Sequence, residues 1–383
     1  MAICVALVAI VAGSVLFHVV SPWRSTPIAS NWREMDDTLA ITFVITAVFF
    51  VVINLLVAYM VFRFRHRVGH HADYQPENPR LERWLTIATS LAIIGLLAPG
   101  LFVYAKYVKA PAEALQLEVL GQQWQWRYRF PGASGKLGRS STSLVSGTNP
   151  FGLDPSDPVS RDNVLINNNE VHLPLDRPVK VMLRSHDVLH DFYVPQFRAR
   201  MNMVPGMITS FWFTPTRTGR YEVLCAQLCG VGHFNMRGIV VVEDAAQFQA
   251  WLARQPTFAL AMAGQSAAQP TTGSGTVATL QATGQSLAQS KGCTACHSVD
   301  GSSGVGPSWK GLYGKQETLA DGSVVLADEA YLERSIRDPA AQVVKGYPPI
   351  MPKMELGNDE LAALLAFIES MKAAAPALRQ TQK

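Results

Sequence analysis

The chain has 383 residues, 48% of them hydrophobic and only 16% charged, with a formal net charge of +4. That length exceeds one ordinary domain, and so apolar a composition excludes a wholly water-soluble protein. The slight positive balance gives no reason to expect a nucleic-acid partner.

Residues 2–20 (AICVALVAIVAGSVLFHVV) form a first apolar run, which reads as a signal peptide or signal anchor although basic residues before it are missing. Cys4 lies too early to follow a lipobox and reads as an apolar filler. Residues 38–62 are uncharged throughout and exceed the roughly 20 residues that cross a bilayer as a helix. Residues 84–104 form another uncharged run, with Pro99 and Gly100 near its end, which a membrane helix tolerates. Between these two lies RFRHRVGHHADYQPENPRLER, placing Arg63, Arg65, Arg67, Arg80 and Arg83 close to the membrane ends. A hairpin over 38–106 with a cytoplasmic loop at 63–83 follows, and everything after Tyr104 is expected outside.

From about residue 115 the pattern changes to short alternating or β-branched runs, LQLEVL, EVHLPL, PVKVMLRS, ITSFWFTP, GRYEVLC and GIVVVED, separated by Pro, Gly and Asn. These predict an all-β domain over 112–248, ending in a short helix near 245–253. The stretch GASGKLGRSSTSLVSGTNPFGLDPSDP is rich in turn formers and reads as a long surface loop without chemistry.

Within this domain Cys225, Cys229, His233 and Met236 follow C-x-x-x-C-x-x-x-H-x-x-M. Two thiolates, an imidazole and a thioether are soft ligands suited to copper. The spacing could fall on one side of a helix, but Gly230, Gly232 and the preceding GRYEVL point to a loop at the end of a sheet. The set is short of nitrogen, so a second histidine from another strand is expected. His190 in SHDVLHDFYVP is the candidate, His186 its weaker rival, and Asp187 a candidate to orient the imidazole. A disulfide between the two cysteines would leave His233 and Met236 unexplained.

Residues 256–282 are poor in charge and rich in Ala, Gly, Ser, Thr and Gln, the composition of a flexible linker. As coil, about 25 residues span roughly 25–30 Å, enough for a small domain to swing across its neighbour. The last domain is set at 283–374, with helical patterns at ATGQSLAQSKG, DEAYLERSIRD and NDELAALLAFIESM. In KGCTACHS, Cys293 and Cys296 can form thioethers to haem vinyl groups while His297 is delivered to iron as proximal ligand. A zinc site would need a second C-x-x-C, which is lacking. The distal ligand is assigned to Met351 in GYPPIMPKM, between prolines that stiffen the loop, ahead of Met354.

Over residues 30–245 the sequence resembles subunit II of the haem–copper cytochrome c oxidases, through CAQLCGVGHFNM, DVLHDFYVP, RMNMVPGM, GQQWQWRYRF and the NPRLERW that opens the second helix of the hairpin. The resemblance implies a cupredoxin-like β-barrel with a dinuclear copper A centre. In it Cys225 and Cys229 bridge both coppers, His190 and His233 each bind one, Met236 is a weak ligand, and the main-chain carbonyl of Gln227 completes the set. It also implies that Trp124 is the surface tryptophan through which electrons reach copper, and that Glu82 helps protons into an uptake channel of the partner subunit. On residue type alone, Trp124 and Trp126 fit core packing and Glu82 fits a helix-start carboxylate. Many family members carry Glu where this chain has Gln227, and a neutral amide is the poorer ligand for a hard cation, which argues against an interfacial magnesium.

The C-terminal part resembles class I cytochrome c domains, in which a methionine before a proline caps the haem and the terminal helix packs on the first. That resemblance places Pro307 of VGPSWKGLYG near His297 and makes Gly284 and Phe367 the helix contact. Together the two resemblances imply a multidomain membrane protein that passes electrons from a fused haem c through copper A to a haem–copper subunit I, accompanied by subunit III, for proton-translocating reduction of oxygen to water. A cytochrome c or a quinol-oxidising complex would supply the electrons. The expected location is a bacterial-type cytoplasmic membrane, with both metal domains on the periplasmic face. The chain has no cluster of intramembrane histidines for oxygen chemistry, which is expected on another subunit. The same motifs would serve the electron-accepting subunit of a copper A nitric oxide reductase, or a membrane-tethered haem and copper carrier with no catalytic partner.

Overall fold

The computed structural model describes residues 2–21, 26–69, 71, 76–146, 149–267, 277–354 and 356–372. Helices α1 (Ala2–Val20), α2 (Arg33–Arg63) and α3 (Pro79–Val108) are each long and apolar enough to cross a membrane, and α1 lies along α2. Large apolar side chains such as Phe43, Leu56 and Leu97 face outward on them. An apolar surface of that extent fits a lipid or partner-helix environment and not water. Pro79 opens α3, where its missing N–H costs nothing. Asn78 Oδ1 accepts from the Leu81 N–H at 3.1 Å, and Glu82 Oε1 accepts from the Asn78 N–H at 3.2 Å. Glu82 therefore closes a reciprocal helix cap. Residues 70 and 72–75 of the predicted loop lie outside the described residues.

The hairpin is fastened to the β domain at its outer end. The Trp32 indole donates to the Trp212 carbonyl at 2.7 Å, and the Trp212 indole donates to the Lys106 carbonyl at 2.7 Å. Arg198 grips both carboxylate oxygens of Asp36 at 2.6 and 2.8 Å.

The β domain packs two five-stranded sheets face to face. The strands are β1 (Leu115–Gln122), β2 (Gln125–Phe130), β3 (Val164–Ile166), β4 (Glu170–Pro174), β5 (Val179–Ser185), β6 (His190–Val194), β7 (Ala199–Met203), β8 (Thr209–Phe213), β9 (Gly219–Cys225) and β10 (Arg237–Glu243). One sheet runs β3-β2-β1-β5-β8 and the other β4-β10-β9-β6-β7. Alternation sends Trp126, Tyr128 and Phe130 inward against Phe192, Phe211 and Val223. The same alternation sends Glu118 and Arg129 to the outer face, yet both are buried there. Glu118 is paired with Arg129 through one oxygen and with Arg184 at 3.1 Å through the other.

The turn-rich stretch before the short helix α4 (Pro158–Asp162) is what covers this outer face, a role its composition did not announce. Phe151 and Leu153 insert with Phe258 against Leu120 and Leu165, closing a second small core. After α5 (Ala245–Leu252), Phe258 begins α6 (Phe258–Ala267), so the first part of the predicted coil is helical. The reason is the stripe Phe258, Ala261 and Met262 at i, i+3 and i+4, which packs on that core.

The last domain contains α7 (Val277–Ser290), the hairpin β11 (Gln316–Thr318) and β12 (Val324–Leu326), α8 (Glu329–Arg337) and α9 (Asn358–Ser370). Helix α7 starts six residues before the predicted domain boundary at 283, since it begins at Val277. It crosses α9 at Gly284, where a Cβ would come within 1.9 Å of the Ala363 carbonyl oxygen and 2.7 Å of Phe367 Cβ. Only glycine permits that approach.

Candidate copper and haem sites

His190 opens β6, Cys225 ends β9, and Cys229, His233 and Met236 lie on the loop that leads into β10. Pairing of Phe192 with Cys225 puts the two strand-borne ligands at one end of the second sheet. Among the described residues, His190, Cys225 and Cys229 form a group whose ligand atoms lie within 4.8 Å of one another. The sulfurs are 3.7 Å apart, far beyond the ~2.05 Å of a disulfide. His190 Nδ1 lies 3.9 Å from Cys225 Sγ, His233 Nδ1 3.5 Å from Cys229 Sγ, and Met236 Sδ 4.0 Å from Cys229 Sγ. The Gln227 carbonyl oxygen is 3.2 Å from Cys225 Sγ. The six predicted ligand residues are thus brought to one place, and His190 rather than His186 faces the sulfurs.

The electrostatics fit soft-metal binding. The hydrogen bond from Cys229, with help from His190, brings the Cys225 thiol down to about 3, and the same bond pushes Cys229 up as the donor of the pair. Burial pulls His190 down, but Asp187 and the Cys225 thiolate outweigh it and hold the imidazole above its usual value. Asp187 Oδ1 is 2.8 Å from His190 Nε2, so that nitrogen donates to the carboxylate and leaves Nδ1 facing the sulfurs. Gly121 lies beneath the ring, where a Cβ would come to 3.2 Å from His190 Cδ2. A donor set of two sulfurs, two imidazole nitrogens and a thioether, with the carboxylate orienting one ring, suits copper.

Trp126 is fully buried with its ring edge-on to Phe192 at 5.5 Å, as core packing requires. Trp124, expected at the surface, is instead buried at 8% exposure, because Gly230 and Gly232 of the ligand loop pack over its ring. A Cβ on Gly232 would come within 2.3 Å of Trp124 Cδ2. The residue that sequence reasoning missed is Gln123, whose amide donates to the Cys229 carbonyl at 2.7 Å. Its only sequence signal is its place before Trp124 in GQQWQW.

In the last domain the His297 Nδ1–H donates to the Pro307 carbonyl at 2.7 Å, leaving Nε2 available to iron. The ring stacks on Trp309 at 5.2 Å, and a Cβ on Gly306 would lie 2.6 Å from His297 Cε1. Burial lowers the His297 pKa, which favours the neutral imidazole that iron ligation would need. Burial also raises the Cys293 thiol to about 11. Met351 packs against the helical core, whereas Met354 lines an open cleft of about 700 Å³ with Arg337 and Lys353. Cys296 packs against the copper-domain core, and Gly292 faces Gln125 of β2, where a Cβ would stand 3.4 Å from the amide nitrogen. The residues fit a covalently held c-type haem.

A β-sandwich with a two-sulfur, two-imidazole metal site, joined to a helical domain with a C-x-x-C-H site, defines an electron-transfer protein. Residues 115–244 match the family described as cytochrome c oxidase subunit II, periplasmic domain, and residues 281–372 match cytochrome c. The chain is 53% identical over 259 residues to the alternative cytochrome c oxidase subunit 2 of Bradyrhizobium diazoefficiens, covering 68% of this chain and 94% of that protein. It is 27% identical to cytochrome c oxidase subunit 2 of Cereibacter sphaeroides, covering 62% and 80% of the two chains. With the subunit 2 of Alkalihalophilus pseudofirmus it shares 24% identity over 349 residues, 88% of this chain and 86% of the relative. The chain belongs to the cytochrome c oxidase subunit 2 family, in a form with a cytochrome c domain at its C-terminal end.

Proposed function

We propose that the chain is the electron-accepting subunit of an oxygen-reducing, proton-translocating terminal oxidase, relaying electrons from its own haem c through copper A to a haem–copper subunit I. The observation that carries this reading is the position of Cys296 against the core of the domain that holds His190, Cys225, Cys229, His233 and Met236. When bound, the haem and the copper pair supply two one-electron carriers in one chain. Cys293 and Cys296 would hold the haem covalently, and His297 and Met351 would supply the ligands to its iron. Such His/Met ligation favours a high reduction potential. Cys225, Cys229, the two histidines, Met236 and the Gln227 carbonyl would hold the coppers, and a frame of strands would limit rearrangement of the site on reduction.

In this reading Trp124 lies on the electron path, Glu82 stands where protons approach subunit I, and Gln227 leaves an interfacial magnesium without its carboxylate. The hairpin of α2 and α3 anchors the chain in a bacterial-type cytoplasmic membrane with both metal domains on the periplasmic face, and α1 serves as signal peptide or signal anchor. Subunits I and III are its neighbours, and a cytochrome c or a quinol-oxidising complex reduces it.

The test is purification of the membrane complex through a tag on this chain, followed by its optical spectrum and oxygen uptake with a reducing donor. A second haem type with oxygen uptake is the expected outcome. Haem c and copper A alone, with no partner and no uptake, would overturn the oxidase assignment, as would nitric oxide reduction without oxygen uptake.

A further inference from the structure

We infer that Gln123 is a positioning residue for the copper ligands, holding His190 and Cys229 in register from a hairpin turn that supplies no ligand itself. The inference rests on the copper reading above. Gln123 and Trp124 are the two residues between the paired Gln122 and Gln125 that close the β1–β2 hairpin. The main-chain N–H of Gln123 donates to Asp187 Oδ2 at 2.7 Å, while the other oxygen of that carboxylate takes the His190 Nε2–H at 2.8 Å. The side-chain amide of Gln123 donates to the Cys229 carbonyl at 2.7 Å, where the Trp124 indole N–H also arrives at 3.2 Å. One residue thereby reaches the strand-borne histidine through the Asp187 carboxylate and the loop-borne cysteine directly at its carbonyl.

The fit between turn and loop is close. A Cβ on Gly230, whose φ is +117°, would lie 2.9 Å from the Gln123 amide nitrogen. With Gly232 against Trp124, the copper loop rests directly on the turn because both positions lack a side chain. The carbonyl held by Gln123 belongs to the residue that carries one of the two sulfurs, so a tilt of that peptide would displace Cys229 Sγ relative to Cys225 Sγ, 3.7 Å away. Ligands on a loop are held as well as the hydrogen bonds behind them. Gln123 is itself solvent-exposed, so donation rather than burial is what it contributes.

Two variants of the full chain in its complex separate donation from bulk. Gln123→Met keeps the length and removes the donor, whereas Gln123→Lys keeps a donor at similar reach. Copper content is measured by metal analysis and the centre by the hyperfine pattern of its electron paramagnetic resonance. Gln123→Lys is expected to retain both. Gln123→Met is expected to alter the pattern or to weaken copper retention about fivefold, the factor of one ordinary net hydrogen bond. Haem c absorbance should be unchanged in both. Wild-type copper content and pattern in Gln123→Met, or equal damage in the two variants, would overturn the inference. A wild-type complex without a two-copper signal would instead overturn the copper reading on which it rests.

Discussion

The hydroxyl of Tyr107 and the main chain of Arg200 hold each other twice: Oη accepts from the Arg200 N–H at 2.9 Å and donates to its carbonyl at 3.2 Å. A single side chain at the outer end of α3 thus fixes the path of β7, the strand that pairs His190 with Met203. The ring is seated separately, stacked on Phe211 at 5.1 Å and edge-on to Trp32 at 5.3 Å.

Tyr107→Phe therefore removes the hydroxyl and leaves the ring contacts. Two main-chain groups lose their partner, at a cost of about 1–3 kcal/mol. The midpoint of thermal unfolding, followed through the copper absorbance, should fall while the spectrum at low temperature is unchanged. A midpoint equal to that of the wild type would show that the hydroxyl has no hold on β7.

The outer face of the first sheet makes a larger demand. Glu118 serves two arginines, and Arg129 is buried, its guanidinium also donating to the Gly138 carbonyl at 3.2 Å and Asn163 Oδ1 at 3.1 Å. Glu118→Ala leaves that guanidinium uncompensated and should destabilise the β domain by about 3–5 kcal/mol. Replacing Glu118 and Arg129 together by apolar residues should recover much of the loss. Denaturant unfolding of the two variants checks the order, and equal stability of the single variant and wild type would contradict it.

At the haem, Met351 and Met354 can be told apart by substitution. Met351→Leu should lower the haem midpoint potential and remove the optical signature of thioether ligation, while Met354→Leu leaves both in place. The opposite pattern would move the axial ligand to the cleft lined by Arg337 and Lys353.

For Trp124, the ring and the indole N–H are separable. Trp124→Phe keeps an aromatic ring beside Gly232 and loses the bond to the Cys229 carbonyl, which Gln123 still holds. Trp124→Leu loses both. Flash-induced electron transfer from haem to copper should slow in the order wild type, Phe, Leu, with both optical spectra kept. Equal rates in all three would take Trp124 off the path.

The grouping of donors in the loop was legible because it is local: four candidate donors fall within twelve residues. That His190 faces the sulfurs was reachable because a soft copper set would call for a second nitrogen from another strand. Gln123 was not, since its partners Asp187 and Cys229 stand 64 and 106 positions away, and an amide in a turn carries no signal of its own. Helix α6 was hidden by composition, its low charge reading as coil while three apolar residues on one face decided otherwise. The same logic accounts for Phe151 and Leu153, isolated apolar residues amid turn formers that become a lid only when the face beneath them is known.

Because α6 is docked, the described chain on the copper-domain side ends at Ala267, ten positions before Val277 opens the haem-domain helix α7. Even fully extended, ten peptide units reach roughly 33–36 Å. The haem domain cannot commute to a distant reductant and return. In the proposed relay, whatever reduces the haem would have to travel to the complex and bind there, so the supply of electrons would be set by the visits of the donor and not by the wandering of the carrier.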